Sequence, residues 1–254
     1  MRNLRLIPRL DVKQNWLIKG VQMEGWRKVG SPAEFAKRYA DAGADELLFM
    51  DVVASLYGRN NLQDIVRKVA ESVFIPLTVG GGVRSLSDVS DLLSNGADKV
   101  AINTAATLNP NLVRHISDEF GSQATVVVIE CAYLGNNNWE AMTDNGRNHT
   151  GLNALDWAKR VEQLGAGEII VTSINNDGTG KGYDLPLLQA ISESVNVPVV
   201  ASGGFGKIDH IKSLCMDTQV SAASVAQALH WNKVEIATLR NALEECGIYV
   251  RPLP

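Results

Sequence analysis

Two glycine-rich stretches close β-branched runs, one in each half of the 254-residue chain: Leu77-Thr78-Val79-Gly80-Gly81-Gly82-Val83-Arg84 and Val199-Val200-Ala201-Ser202-Gly203-Gly204-Phe205-Gly206. A strand ending in glycine lets backbone approach a ligand closely, and free N–H groups at a following helix start suit a phosphate. Ser85 can cap such a helix. One stretch of this kind is ordinary turn chemistry. Two copies in opposite halves imply a substrate with a phosphate at each end. Asn103-Thr104 would complete the cradle at Gly81 and Gly82, and Gly178-Thr179, next to Asp177, the cradle at Gly203 and Gly204. Asp11, Asp51 and Glu130 end further apolar runs. Asp11 and Glu130 would stand across the mouth between the cradles, where two carboxylates held apart serve as general acid and general base.

The elements that must hold these residues alternate strand and helix eight times. Leu4–Asp11 reads as the first strand, Glu46–Asp51 as the second, Ile75–Val79 as the third and Lys99–Asn103 as the fourth. Thr125–Glu130, Glu168–Ser173, Val197–Ser202 and Val220–Val225 follow. Helical faces between them begin at Pro32, Leu62, Ser85, Asn109-Pro110, Asn153, Asp184, Ile208 and Val234. Strands apolar on both faces argue for a parallel sheet covered by helices. Eight units of this kind predict a single α/β domain, a closed (β/α)₈ TIM barrel. The recurrence of the Gly pair at 81/82 and 203/204, and of acidic strand ends at 11 and 130, predicts internal duplication into half-barrels of about 1–121 and 122–254. The segment from the end of strand 1 to Gly30 lacks a clean period and reads as a long loop. Asn136–Gly151 reads as an Asn/Gly-rich excursion.

At the opposite end of the barrel, Glu46, Lys99 and Glu168 each open an even-numbered strand after a Gly-Ala-Asp or Gly-Ala-Gly lead, and Arg5 opens strand 1. Two acids and two bases in equivalent registers form either a solvated rim or a buried ring that must pair internally. Composition narrows the function classes. A net charge of −4 without a Lys/Arg run speaks against nucleic acid. Cys131, Cys215 and Cys246 lack metal-ligand spacing and read as reduced cytoplasmic thiols. His149, His210 and His230 share no ligand spacing, so neither a metal nor a cofactor is expected. No apolar run reaches membrane-spanning length.

The segments IPRLDVK, ADELLFMDVVAS, FIPLTVGGGVRS, GADKVAINTAA, FGSQ, GAGEIIVTS, DGTGKGYD and VPVVASGGFG, in that order and nearly end to end, resemble the cyclase subunit of imidazole glycerol phosphate synthase. The resemblance implies a half-barrel-duplicated (β/α)₈ protein of histidine biosynthesis. It implies a heterodimer with a glutaminase, whose ammonia cleaves and cyclises a bis-phosphorylated ribulosyl aminoimidazole carboxamide ribotide. It further implies that Asp11 is one acid/base residue and that Lys19 lies on a mobile loop over the site. Gly82, Asn103 and Thr104 would hold one phosphate, and Gly178 and Gly204 the other. Arg5, Glu46, Lys99 and Glu168 would form an ammonia gate, and Asp98 would meet the glutaminase.

Three positions depart from that family's pattern. Glu130 stands where the family has an aspartate, Arg9 where it has a small residue, and Gln227 where it has a phosphate-binding serine. Arg9 shares a strand face with Asp11. It is expected to point into the barrel and pair with Glu130 or Asp51, lowering that carboxylate's pKa. All three departures lie at the mouth. A second reading follows from this: a paralogue that delivers ammonia to a sugar amidotransferase in surface-polysaccharide synthesis.

Overall fold

The computed structural model describes residues 3–54 and 62–252. Eight parallel strands close a ring: β1 (Arg5–Lys13), β4 (Leu47–Asp51), β5 (Leu77–Gly80), β6 (Lys99–Ile102), β7 (Thr125–Gly135), β10 (Glu168–Ser173), β11 (Val199–Ser202) and β12 (Ala222–Val225). β12 pairs back onto β1, Arg5 opposite Ala222, and β7 pairs with β10, Glu130 opposite Thr172. Closure leaves the eight-strand ring without an edge.

Alternation along each strand divides the core in two. Leu4, Leu6, Leu10 and Val12 face the helices, and belong to one large buried cluster with the outward faces of the other strands. Ile7 faces the lumen, where it meets Leu48, Met50, Ala101, Val126, Val128, Ile170, Val200 and Ala222. Arg5, Ile7, Arg9 and Asp11 therefore share the lumen face of β1. Reading upward, the lumen has a charged floor, an apolar girdle and a polar mouth.

The outer helices are α1 (Pro32–Asp41), α2 (Leu62–Ala70), α3 (Leu86–Ser94), α4 (Thr104–Leu108), α5 (Asn111–Phe120), α6 (Ala154–Gln163), α7 (Leu185–Ser194), α8 (Ile208–Asp217), α9 (Gln227–His230) and α10 (Ile236–Glu245). Their starts follow the expected chemistry. The Ser85 hydroxyl accepts from the Asp88 N–H at 3.2 Å while the Asp88 carboxylate accepts from the Ser85 N–H at 3.0 Å, a full capping box. Asn153 caps α6 and Asp184 caps α7. Among the described residues no helix is long and apolar enough to cross a membrane.

The expected long loop before Gly30 is instead an ordered antiparallel hairpin, β2 (Trp16–Val21) and β3 (Glu24–Gly30), with β2 paired to the upper part of β1. The Asn/Gly-rich excursion is likewise ordered, as β8 (Asn138–Thr143) and β9 (Asn148–Asn153) after an extended β7. β3 is exposed or half-buried throughout, so it lacks the apolar alternation that marks a strand. Each hairpin follows the first strand of its half, and this repeats in three dimensions what the glycine pairs repeat in sequence.

Candidate active site

The C-terminal ends of the strands surround a cavity of about 560 Å³ lined by Arg9, Asp51, Gly81, Gly82, Asn103, Thr104 and Glu130, among others. Gly81 has a φ of 106°, and a Cβ there would strike the Asp51 carbonyl oxygen. Only glycine allows that approach. Beside the Gly pair, Asn103 precedes α4 with φ −131° and ψ −83°. The same unusual backbone recurs at Ala226, before α9, with φ −125° and ψ −81°. Each half thus builds a cradle from a Gly pair after its third strand and a short helix after its fourth. The Asn103 amide donates to the Met142 carbonyl at 3.2 Å, and the Thr104 hydroxyl accepts from the Asp144 N–H at 3.1 Å. Both side chains fix the second hairpin.

The second cradle, lined by Gly178, Ser202, Gly203, Gly204, Ser224 and Gln227, is a cleft of only about 20 Å³. The first hairpin leans over it. Gln22 N–H donates to the Asp177 carbonyl at 2.7 Å, and Gly178 packs so closely on the Gly20 carbonyl that a Cβ would not fit. The two hairpins also meet, since the Asn145 amide donates to the Met23 carbonyl at 3.2 Å. Lys19 stands on β2, a paired strand and not an irregular loop. It is buried, donating to both Asp177 carboxylate oxygens at 2.9 and 3.0 Å and to Asp11 at 3.2 Å.

Arg9 does point into the barrel, but its partner is neither Glu130 nor Asp51. Nε donates to Asp11 at 2.7 Å, and Nη1 donates to the hydroxyls of Thr172 at 3.1 Å and Ser202 at 3.3 Å. The expected depression consequently falls on Asp11. Burial pushes its carboxyl up, but Arg9 and Lys19 together outweigh burial and hold it well below the usual carboxylate range. Glu130 behaves oppositely. Burial pushes it up to about 7 against the pull of Arg9 and of the Gly146 N–H, which donates to it at 2.8 Å. Asp51 is also raised by burial, against the N–H groups of Val53 and Ala54. Asp11, Lys19, Asp51, Asn103, Thr104, Glu130, Asp177 and both Gly pairs are thereby gathered at one end of the barrel.

The opposite end carries a closed ring of charges. Arg5 bonds Glu46 at 2.8 Å and Glu168, while Lys99 bonds each of the same two glutamates at 2.9 Å. Burial alone would lift Glu168, but Arg5 and Lys99 hold it below its usual range. The Thr78 hydroxyl donates to Glu46 at 2.6 Å. Asp98 lies exposed beside the floor, one oxygen accepting from the Leu77 N–H at 2.8 Å at the start of β5. Asp45 does the same for Leu6.

Sequence reasoning missed Thr172, Ser224 and the 144–146 turn as parts of the mouth. The turn had a signal, since Asp144, Asn145 and Gly146 all adopt the left-handed backbone that Asp-Asn-Gly favours in hairpins. Thr172 and Ser224 had none beyond alternation from their strand neighbours. His149, His210 and His230 are surface or packing residues: His149 is exposed against Glu140, His210 accepts from the Gly206 N–H, and His230 is buried against Tyr39. Among the described residues no group of three or more His, Cys, Asp or Glu side chains is placed to hold a metal ion.

A model of the histidine biosynthesis protein family matches residues 5–235. The imidazole glycerol phosphate synthase subunit HisF of Legionella pneumophila is 58% identical over 209 residues, covering 82% of this chain and 99% of its own length. Its namesake from Bacillus cereus strain Q1 is 47% identical over 247 residues, 97% of this chain and 98% of its own. That of Trichormus variabilis is 47% identical over 254 residues, 99% of each. On this match the chain belongs to the histidine biosynthesis protein family, among its imidazole glycerol phosphate synthase HisF subunits.

Proposed function

We propose that this chain is the cyclase subunit of imidazole glycerol phosphate synthase. It takes ammonia from a partner glutaminase at the floor of the barrel. With it, a bis-phosphorylated ribulosyl aminoimidazole carboxamide ribotide is cleaved and cyclised at the mouth. The products are imidazole glycerol phosphate and aminoimidazole carboxamide ribotide. One observation carries the reading: a charged ring, an apolar lumen and a mouth with two cradles stand on a single axis. A neutral molecule the size of ammonia passes an apolar girdle at little cost, whereas an ion does not.

In this reading Gly81, Gly82, Asn103 and Thr104 hold one phosphate through backbone donors, and Gly178, Gly203 and Gly204 hold the other. Gln227 leaves those backbone donors in place where the family's serine would add a hydroxyl. Asp11 and Glu130 move protons between ammonia, substrate and leaving group. Lys19, Asp51 and Asp177 orient the substrate between the cradles. Arg5, Glu46, Lys99 and Glu168 gate the floor, and Asp98 meets the glutaminase with its unused oxygen. The amidotransferase-delivery reading is not favoured, because relatives bearing the synthase name align across the mouth as well as the floor.

The test compares two nitrogen sources with the bis-phosphorylated substrate. Purified chain with ammonium salt should consume it without a partner, and chain plus glutaminase should do so with glutamine. Lys99→Ala should uncouple glutamine-dependent turnover from glutamine hydrolysis while leaving ammonium-dependent turnover within about threefold. Equal loss in both reactions would defeat the gate, and no turnover with ammonium salt would defeat the cyclase reading.

A further inference from the structure

The two mouth carboxylates differ in what surrounds them, and one residue accounts for the difference. Arg9 is fully buried and lines both the large cavity and the two narrow clefts, so it forms the partition between Asp11 and Glu130. Its guanidinium is anchored at three points. Nε grips Asp11, while Nη1 reaches across the lumen to hydroxyls at the ends of β10 and β11. A guanidinium does not surrender its proton. Protonating Asp11 would leave that cation in the interior without a counter-charge in contact among the described residues, whereas Lys19, which holds the other carboxylate oxygen, would keep Asp177. Glu130 has no ion-pair partner within bonding distance among the described residues, and its hydrogen-bond donor is a neutral backbone N–H from the second hairpin.

We propose that Arg9 divides the labour of the two carboxylates, pinning Asp11 as a base that rests ionised and leaving Glu130 to carry the exchangeable proton. Arg9 is on this account a positioning residue. The proposal rests on the proton-transfer roles assigned to Asp11 and Glu130 above, and adds which group plays which part. The stoichiometry is simple. Glu130 enters as the acid, gives its proton to the departing nitrogen and becomes a carboxylate. Asp11 takes a proton from the attacking ammonia and hands it to the ionised Glu130, which returns both groups to their resting state for the next turnover.

Among the described residues, charged groups face the pair from several elements, and Arg84 lines the Glu130 cavity from the segment after β5. Asp11 sees Arg9 on its own strand, Lys19 from β2, Asp177 from the segment after β10, Glu130 from β7 and His230 from α9. His230 is held neutral by burial, its pKa brought down to about 3. Glu130 sees Arg9 and Asp11 from β1, and Asp144 from the β8–β9 turn. Asp51 lines the same cavity from the end of β4. Burial opposes ionisation of Glu130 most strongly and the two like charges add to it, while Arg9 and the Gly146 N–H pull the other way.

The experiment titrates the carboxyls directly in the full-length chain by difference infrared spectroscopy, following the protonated carboxyl stretch from about pH 2 to about pH 9. Asp51→Asn serves as the background so that its own titration is removed. The expected wild-type-like trace has a carboxyl titrating near neutrality that Glu130→Gln abolishes, and no change from Asp11. In Arg9→Met a second carboxyl appears, moved up by about one to three pH units, and it disappears in Arg9→Met/Asp11→Asn. Arg9→Lys restores the silent Asp11. Arg9→Gln, which keeps donors for Thr172 and Ser202 but no charge, stands in if Arg9→Met does not fold. A near-neutral carboxyl that survives Glu130→Gln overturns the proposal, as does an Arg9→Met trace identical to its parent. Turnover at fixed free ammonia supplies the second arm. The native rate falls as pH rises through the Glu130 titration, and Arg9→Met adds an acid limb that Arg9→Lys removes. A native chain without turnover would count against the function proposed above, while the infrared arm would still decide the role of Arg9.

Discussion

The barrel has a buried charge network at each end, and the two are built on different plans. At the floor, Arg5, Glu46, Lys99 and Glu168 form a closed ring in which every charge touches two opposite charges. Its cationic side chains are 25% and 20% exposed. At the mouth, Arg9, Asp11, Lys19 and Asp177 form an open chain, with every member less than 10% exposed. A ring can lose one contact and keep all its charges paired, so it can open and reclose at little cost. An open chain lacks that redundancy at its ends. Breaking Arg9–Asp11 or Lys19–Asp177 strands a charge in a dry interior, where it costs far more than at a surface. The floor is thus suited to moving and the mouth to holding a fixed field.

The sharpest way to break this contrast is at Asp11, the central anion of the open chain. Asp11→Ala should cost about 3–5 kcal/mol in urea unfolding, because Arg9 loses its only counter-charge in contact among the described residues. It should also abolish turnover. A loss no larger than at the floor would contradict the distinction.

Glu130 lies outside the chain and should behave in the opposite sense. Glu130→Gln should lower turnover about 10²–10⁴-fold. Yet the variant should be more stable than the parent at alkaline pH. The folded-state pKa of about 7 lies above that of the unfolded carboxyl. Its stabilising contribution is therefore complete below the unfolded pKa and is lost as pH rises through about 7. At pH ~8 glutamine removes a penalty on the order of 3 kcal/mol, measurable as a rise in the urea midpoint.

Opening one corner of the ring should matter less. Glu168→Gln leaves Glu46 between Arg5 and Lys99, so we expect about 1–2 kcal/mol, diminished by the partial exposure of both cations. Smallest of all, Thr78→Val removes one hydroxyl from Glu46 and should cost about 1 kcal/mol by thermal or urea unfolding.

The floor was legible because three of its members follow glycine-led turns at the first position of their strands, and alternation then fixes the face they share. The cradles were legible because glycine is needed wherever backbone must pass another backbone, as at Gly81. The partner of Arg9 was not. Alternation reports which face a side chain leaves from, but a long side chain chooses among groups several ångströms apart, and the Thr172 and Ser202 hydroxyls draw the guanidinium away from Glu130. The first hairpin was hidden for a different reason. It turns through Gln22 and Met23 in left-handed backbone without glycine or asparagine, so no punctuation marks the bend.

β1 contributes to both networks, Arg5 below and Arg9 with Asp11 above, spaced along one face by Ile7. A slip of this strand by a single residue against β4 and β12 would turn all four outward and bring Leu4, Leu6, Pro8 and Leu10 inward. Both charge networks would fail together. On the proposed function, the spacing between the place where nitrogen is admitted and the place where it is consumed is thus written into a few peptide units of one segment, and a deletion or insertion there cannot be absorbed at one end alone.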